Sequence, residues 1–373
     1  MYGMKVPSDI HTASTLAARA YGDETLYAQQ VERVLARSFH VAGRSEALQE
    51  PASAHPLTLL PGSLDEPLVI TIDDASELRA LSNVCTHRGN LLSTTAGKTK
   101  QLRCGYHGRC FDLQGRCLGM PGFAEVADFP SARDNLPQVA AHVHGPLLYC
   151  ALDPQCTFDA WFLPIKQRTD FMPWDRLDFD PHSERTYTFS AHWALYVDNY
   201  LEGFHIPFVH PGLAQTLHVG EYETDRFSLS NLQIGIAKEG EPAFDLPPGH
   251  VDYGKRVAAY YFWLFPCTML NFYPWGLSMN SVLPQGPART RVHFQSYVWK
   301  PELRQTGAGG DLHQVELEDE AVVMQVQRGV RSRLYRGGRY SVQHERNVHH
   351  FHQLLTAALA ADPATEAHRT DIG

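Results

Sequence analysis

No window of the chain approaches eighteen apolar residues, and the N-terminus lacks the charged region, apolar run and cleavage site of a secretory signal. A water-soluble cytoplasmic protein is expected, with no membrane partner. Basic runs are absent too. Against 41 Asp and Glu stand 32 Lys and Arg, a net charge of −9 over 373 residues, which makes nucleic acid a poor partner. There is no Gly-x-Gly-x-x-Gly loop and no plant-type ferredoxin spacing, so the chain cannot draw electrons from a nicotinamide by itself. Cysteine is sparse, at seven. Cys110, Cys117, Cys150, Cys156 and Cys267 form no metal spacing and read as simple thiols in a reducing compartment.

The other two cysteines stand in Cys85-Thr-His87 and, after sixteen intervening residues, Cys104-Gly-Tyr-His107-Gly108. Zinc ribbons and fingers usually space their ligands like with like, as Cys-x2–4-Cys and His-x3–5-His. Here each loop offers one sulfur and one nitrogen. A [2Fe-2S] cluster needs that set when one iron takes both cysteines and the other both histidines. Cys85 and Cys104 would then hold one iron, and His87 and His107 the other. Neutral imidazoles in place of two thiolates make such a centre easier to reduce, an electron relay of moderate potential.

On these loops the chain resembles the catalytic (alpha) subunit of the Rieske non-haem iron oxygenases, the aromatic-ring-hydroxylating superfamily. Members usually read Cys-Pro-Tyr-His-Gly-Trp in the second loop; this chain has Gly105 for the proline and Arg109 for the tryptophan.

A Rieske centre does no oxygen chemistry, so an oxygenase needs a second iron. On a helical wheel over the segment from residue 191, Trp193, Val197, Tyr200 and Phe204 share one face, while Asp198, Glu202 and His205 crowd the other. On an unbroken helix His210 would point roughly 140° from His205. Pro207 is expected to distort the helix and let the two converge. The resemblance supplies a second signature, an acid, two residues, a histidine, four residues and a histidine. Glu202, His205 and His210 match it. Two histidines and a carboxylate make the facial triad of Fe(II) oxygenases, with positions open for dioxygen.

The resemblance implies that the third ligand comes from a late helix. Residues 312–330 show an apolar stripe of Leu312, Val315, Val322, Val326 and Val330, with Asp319 in its middle, Glu316 and Glu318 at its edges and Glu320 outside. A carboxylate facing an apolar core is costly unless paired or bound to metal, which selects Asp319, and the resemblance selects it too. Glu202 is then implied not to bind iron but to link His205 with His107 of the partner subunit. Asn199 is expected to line the iron site.

The expected fold is α+β. Residues 1–37 form an N-terminal helical segment packing on the catalytic domain, and 38–150 a small antiparallel β Rieske domain. Residues 151–373 form the catalytic domain, with antiparallel strands expected from 258 to 299; the resemblance implies that it is a helix-grip (START-like) domain with a curved antiparallel sheet. In His349-His350-Phe351-His352 consecutive rings diverge by 100°, so no metal cluster is expected there; His192 and His218 are read as structural. Of the aromatic residues between Tyr260 and Trp275, at least half are expected in the core.

The resemblance implies a terminal oxygenase that uses O2 at mononuclear Fe(II) on a small-molecule substrate, fed by a separate reductase with or without a ferredoxin. It also implies a homotrimer closed head to tail. The segment around Glu202 looks closer to the choline, betaine and carnitine branch than to the naphthalene dioxygenases, which favours mono-oxygenation or demethylation of a quaternary ammonium compound. Aromatic-ring hydroxylation is the alternative. From other classes stand a non-catalytic Rieske carrier and a di-iron protein, though the latter needs Glu-x-x-His on two helices.

Overall fold

In a computed structural model, residues 5–361 are described. The first four and last twelve residues of the expected outer segments lie outside the described residues. The chain divides into two compact units, Ala36–Phe158 and the chain on either side of it.

The smaller unit is antiparallel β throughout. Its strands are β1 (His40–Arg44), β2 (Ser53–Leu59), β3 (Glu66–Ile72), β4 (Leu78–Ser82), β5 (Gly97–Lys98), β6 (Leu102–Arg103), β7 (Cys110–Phe111), β8 (Cys117–Gly119), β9 (Gln138–His144) and β10 (Leu147–Ala151). Seven pair in the order β1-β10-β9-β4-β3-β2-β5, and β6-β7-β8 make a separate small sheet. The apolar run in β3 is covered on both faces. Val69 packs with Leu81, Phe111, Cys85 and Cys104, while Leu68 and Ile70 turn the other way onto Leu59, Ala80 and Leu148. The first of these cores seats both cysteine loops.

In the larger unit α1 (Glu24–Gln30) is capped by Asp23, which accepts from the Leu26 N–H. It is followed by α2 (Phe158–Thr169) and a seven-stranded antiparallel sheet of β11 (Asp178–Phe189), β12 (Glu223–Arg226), β13 (Ser230–Ile236), β14 (Val257–Leu264), β15 (Thr268–Tyr273), β16 (Gly276–Pro284) and β17 (Thr290–Val298). The order β11-β17-β16-β15-β14-β13-β12 keeps sequence neighbours adjacent from β12 to β17. The helices α3 (Trp193–Tyr200), α4 (Ile206–Val209), α5 (Leu213–Thr216), α6 (Leu312–Val330) and α7 (Arg346–Ala360) complete it. Phe351 of α7 lies edge-on to Trp193 of α3 at 5.7 Å and to Trp263 of β14 at 5.2 Å, tying both helices to the sheet. Each such aromatic contact adds about 0.5–1.5 kcal/mol beyond the area it buries. Among the described residues no helix is long and apolar enough to cross a membrane.

Two local expectations fail. The helix of the Glu202 segment ends at Tyr200, not at Pro207, which instead sits at the start of α4 where its missing N–H costs nothing. The buried face of α6 runs through Glu316, Val323, Gln327 and Val330, while Val326 is exposed. Two of its polar members bond across the helix pair: Tyr196 donates to Glu316 Oε2, and Gln327 accepts from the His192 N–H.

Candidate metal centres

The two cysteine loops are built alike. In the first, the Cys85 N–H donates to Asn90 O and the Gly89 N–H to Cys85 O; in the second, the Cys104 N–H donates to Arg109 O and the Gly108 N–H to Cys104 O. Gly89 and Gly108 close these turns at φ of 73° and 74°, where a side chain would be strained. Both thiols are buried and free of disulfides, and the rings of His87 and His107 stand edge to face with centroids 4.9 Å apart. Burial raises the Cys104 thiol, but the amides of Tyr106 and His107 point at its sulfur and hold it below the usual value.

His107 Nδ1 is buried without a hydrogen-bond partner. A buried ring nitrogen left so is costly unless it takes a metal. With two sulfurs and two imidazoles at adjoining loop tips, the donor set fits a Rieske cluster. Arg109 is buried with its guanidinium between the rings of Phe123 and Phe129, at 5.6 and 5.0 Å. It donates to Thr86 Oγ1 at 2.7 Å and Asp134 Oδ1 at 3.3 Å, so the second loop clasps the first.

Beyond α3 the chain turns sharply through Leu201–Phe204. The Glu202 carboxylate accepts from the His205 backbone N–H at 3.0 Å and faces His205 Nδ1 at 2.7 Å. Gly203 is required there, since a Cβ would come within 2.9 Å of the Tyr222 ring. After the single turn of α4, His210 is 1% exposed, with its N–H donating to Ile206 O. From α6, Asp319 Oδ1 lies 3.0 Å from His210 Nε2 and 3.5 Å from His205 Nε2, and the two Nε2 atoms are 3.1 Å apart. Ligating atoms of His205, His210 and Asp319 all fall within 4.8 Å of one another.

The second imidazole has a carboxylate partner that the sequence reading missed. His210 Nδ1 meets Glu318 Oε2 at 2.7 Å, while Glu318 Oε1 accepts from Gln314 Nε2 at 2.8 Å. Carboxylates at both Nδ1 atoms fix the tautomer that leaves Nε2 free for a metal. Burial opposes charge on His205, but Asp319 and Glu202 outweigh it and push its pKa up to about 9. Three acids around two imidazoles attract a cation, and two nitrogens with one carboxylate oxygen suit Fe(II) with open positions. Neighbouring positions 318 and 319 on a helix are the signal that could have revealed Glu318.

A cavity of about 100 Å³ opens beside these groups. Asn199 and Glu202 line it. So do Tyr196, Tyr200, Tyr222 and Phe294; of the eight aromatic residues between Tyr260 and Trp275, only Tyr261 and Tyr273 reach it. The C-terminal histidines scatter: His349 faces Pro7 O, His350 Asn231, and His352 Asp198 and Tyr340. His192 caps α3 by accepting from the Ala194 N–H, and His218 is exposed.

Residues 42–130 match the family described as Rieske [2Fe-2S] domain, and 177–361 the ring hydroxylating alpha subunit (catalytic domain). The carnitine monooxygenase oxygenase subunit of Escherichia coli K12 is 30% identical, covering 92% of this chain and 93% of its own. Chloroplastic choline monooxygenase of Arabidopsis thaliana is 28% identical, covering 94% and 84%. A solved quaternary ammonium Rieske monooxygenase superposes with a TM-score of 0.75 at 25% identity, covering 95% of this chain and 99% of that one. Naphthalene 1,2-dioxygenase from Rhodococcus sp., at 18% identity and a TM-score of 0.70, shares the fold.

Proposed function

The chain belongs to the Rieske oxygenases, as an alpha subunit with both cluster and catalytic domains, and from that premise we propose that it mono-oxygenates or oxidatively demethylates a small quaternary ammonium compound. Its cofactors are a Rieske [2Fe-2S] cluster, which supplies electrons singly, and a mononuclear iron, which activates O2. A catalytic domain removes the reading as a bare electron carrier. Cys85, Cys104, His87 and His107 would hold the cluster, and His205, His210 and Asp319 the iron. Glu202 and Glu318 orient the two imidazoles, and Asn199 flanks them in the cavity wall.

The observation that carries the substrate reading is the cavity wall. Tyrosine and phenylalanine rings surround a space that also contains Glu202, Glu316 and Asp319, and among the described residues no Lys or Arg lines it. Such a wall attracts an organic cation by ring quadrupole and charge together, and gives a neutral arene only the first. A separate electron donor feeds the enzyme; we assign it to a reductase, with or without a ferredoxin, and the assembly to a head-to-tail ring of three. The test is oxygen uptake and product analysis with choline, carnitine, γ-butyrobetaine and naphthalene, using a surrogate reductase. Product from an ammonium compound is expected; turnover of the arene alone refutes the reading.

A further inference from the structure

One carboxyl group in the cavity neither holds the proposed iron nor orients one of its histidines. Glu316 lies on α6 one turn before Asp319, lines the cavity and is only 3% exposed. Its Oε2 accepts a hydrogen bond from the Tyr196 hydroxyl at 2.7 Å, and its Oε1 is buried with no partner. A carboxylate oxygen so placed is costly until a donor or a positive charge reaches it. Burial, reinforced by the nearby charges of Asp319 and Glu320, pushes this group well above the usual carboxylate range. A cation in the cavity reverses that penalty.

The surroundings define the cation. With no Lys or Arg among the described lining residues, the protein supplies no side-chain counter-ion of its own. Phe294, Leu312 and Val315 share the wall with Glu316 and offer methyl-compatible surface. A hydrated metal ion would want several oxygen ligands at once, and a primary ammonium would want several acceptors. A quaternary nitrogen needs neither: it carries its charge inside a shell of methyl groups and donates nothing.

We propose that Glu316 is the counter-ion of the substrate's quaternary nitrogen, and so sets the preference for a cation over an uncharged molecule of the same shape. This rests on the quaternary ammonium reading and deepens it. Positions three apart on a helix carry Cβ atoms about 5–6 Å apart. A cation paired with Glu316 therefore brings its N-bound carbons within a helical turn of Asp319.

The experiment compares binding of choline and of its uncharged isostere 3,3-dimethylbutan-1-ol to holoenzyme by calorimetry, for wild type, Glu316→Gln and Glu316→Asp. Glutamine keeps the shape and the bond from Tyr196. It is expected to weaken choline about 30-fold or more, the lower end for losing one partner of a buried charge pair, while the alcohol shifts less than about threefold. Aspartate should retain most of the preference. Iron content and the cluster's EPR spectrum, unchanged in both variants, report the fold. Should glutamine disturb them, aspartate decides, and loss of preference with the charge kept would overturn the proposal. A Glu316→Gln protein that still discriminates as wild type does refutes the Glu316 assignment alone. Wild type that binds choline no better than the alcohol overturns this proposal, and the quaternary ammonium reading falls with it only if the oxygen-uptake test yields product from none of the ammonium compounds.

Discussion

Truncating Glu318 to alanine removes the acceptor that His210 Nδ1 meets at 2.7 Å and leaves Asp319, the adjoining residue, in place. A hydrogen bond to a charged group contributes about 1.5–3 kcal/mol. Because the Glu318 side chain is 25% exposed, the lower part of that range applies, about 1.5–2 kcal/mol. At about 1.4 kcal/mol per tenfold, Fe(II) should bind roughly 10- to 30-fold more weakly, within the range found when a partner of a metal-binding histidine is lost. Glu318→Gln keeps a neutral acceptor and should cost about half as much free energy, since charge-assisted bonds are roughly twice as strong as neutral ones. The assay is anaerobic competition for Fe(II) with a chromogenic chelator. The cluster's EPR spectrum serves as the internal control, as Glu318 belongs to the other unit. An affinity within twofold of wild type in both variants would refute the claim that Glu318 fixes the ring.

Asp319→Ala should abolish product formation while the cluster spectrum persists; unchanged turnover would mean that another acid holds the iron. Arg109→Met leaves Asp134 without its cation and opens the clasp on Thr86. Because the guanidinium is buried between the two loops, stability should fall, read as a lower denaturant midpoint of cluster absorbance; an unchanged midpoint would refute the clasp. His192 is fully buried, which drives its pKa down to about 3. Below its unfolded value near 6.5 only the unfolded chain takes up this proton, so stability falls as pH drops from about 6.5 toward 3. His192→Asn keeps an acceptor for the Ala194 N–H and should recover roughly 1.4 kcal/mol for each pH unit below 6.5, measured as urea midpoints at pH 7 and 5. A variant whose acid loss parallels wild type would contradict that.

Local spacing made much of the site legible. Cys-x-His and Cys-x-x-His declare their donors within a few residues, because tight loops need only short-range geometry, and the two loops share one hydrogen-bond pattern. Of the strands between 258 and 299, β17 shows its alternation in the sequence, while β14 and β15 are buried along nearly their whole length. Tertiary pairing hid the rest. The apolar stripe of α6 is out of phase with its buried face because that face includes Glu316 and Gln327, whose partners Tyr196 and His192 lie more than a hundred residues away. Helix α3 ends before Pro207 because this proline marks a helix start, while the Glu202 carboxylate, bonded to the His205 N–H, organises the turn before it. No local pattern marks Tyr196, Tyr200 and Tyr222 as cavity residues, while most of the aromatic run between Tyr260 and Trp275 faces the core.

Asp319 stands 109 residues after His210, with the strands β12 to β17 between them. During synthesis the emerging chain thus displays both imidazoles long before the oxygen that completes the triad exists. If, as proposed, iron is held by all three groups, its site is complete only once the final helices have docked on a finished sheet, and a chain cut before residue 312 should keep no tightly bound Fe(II) there.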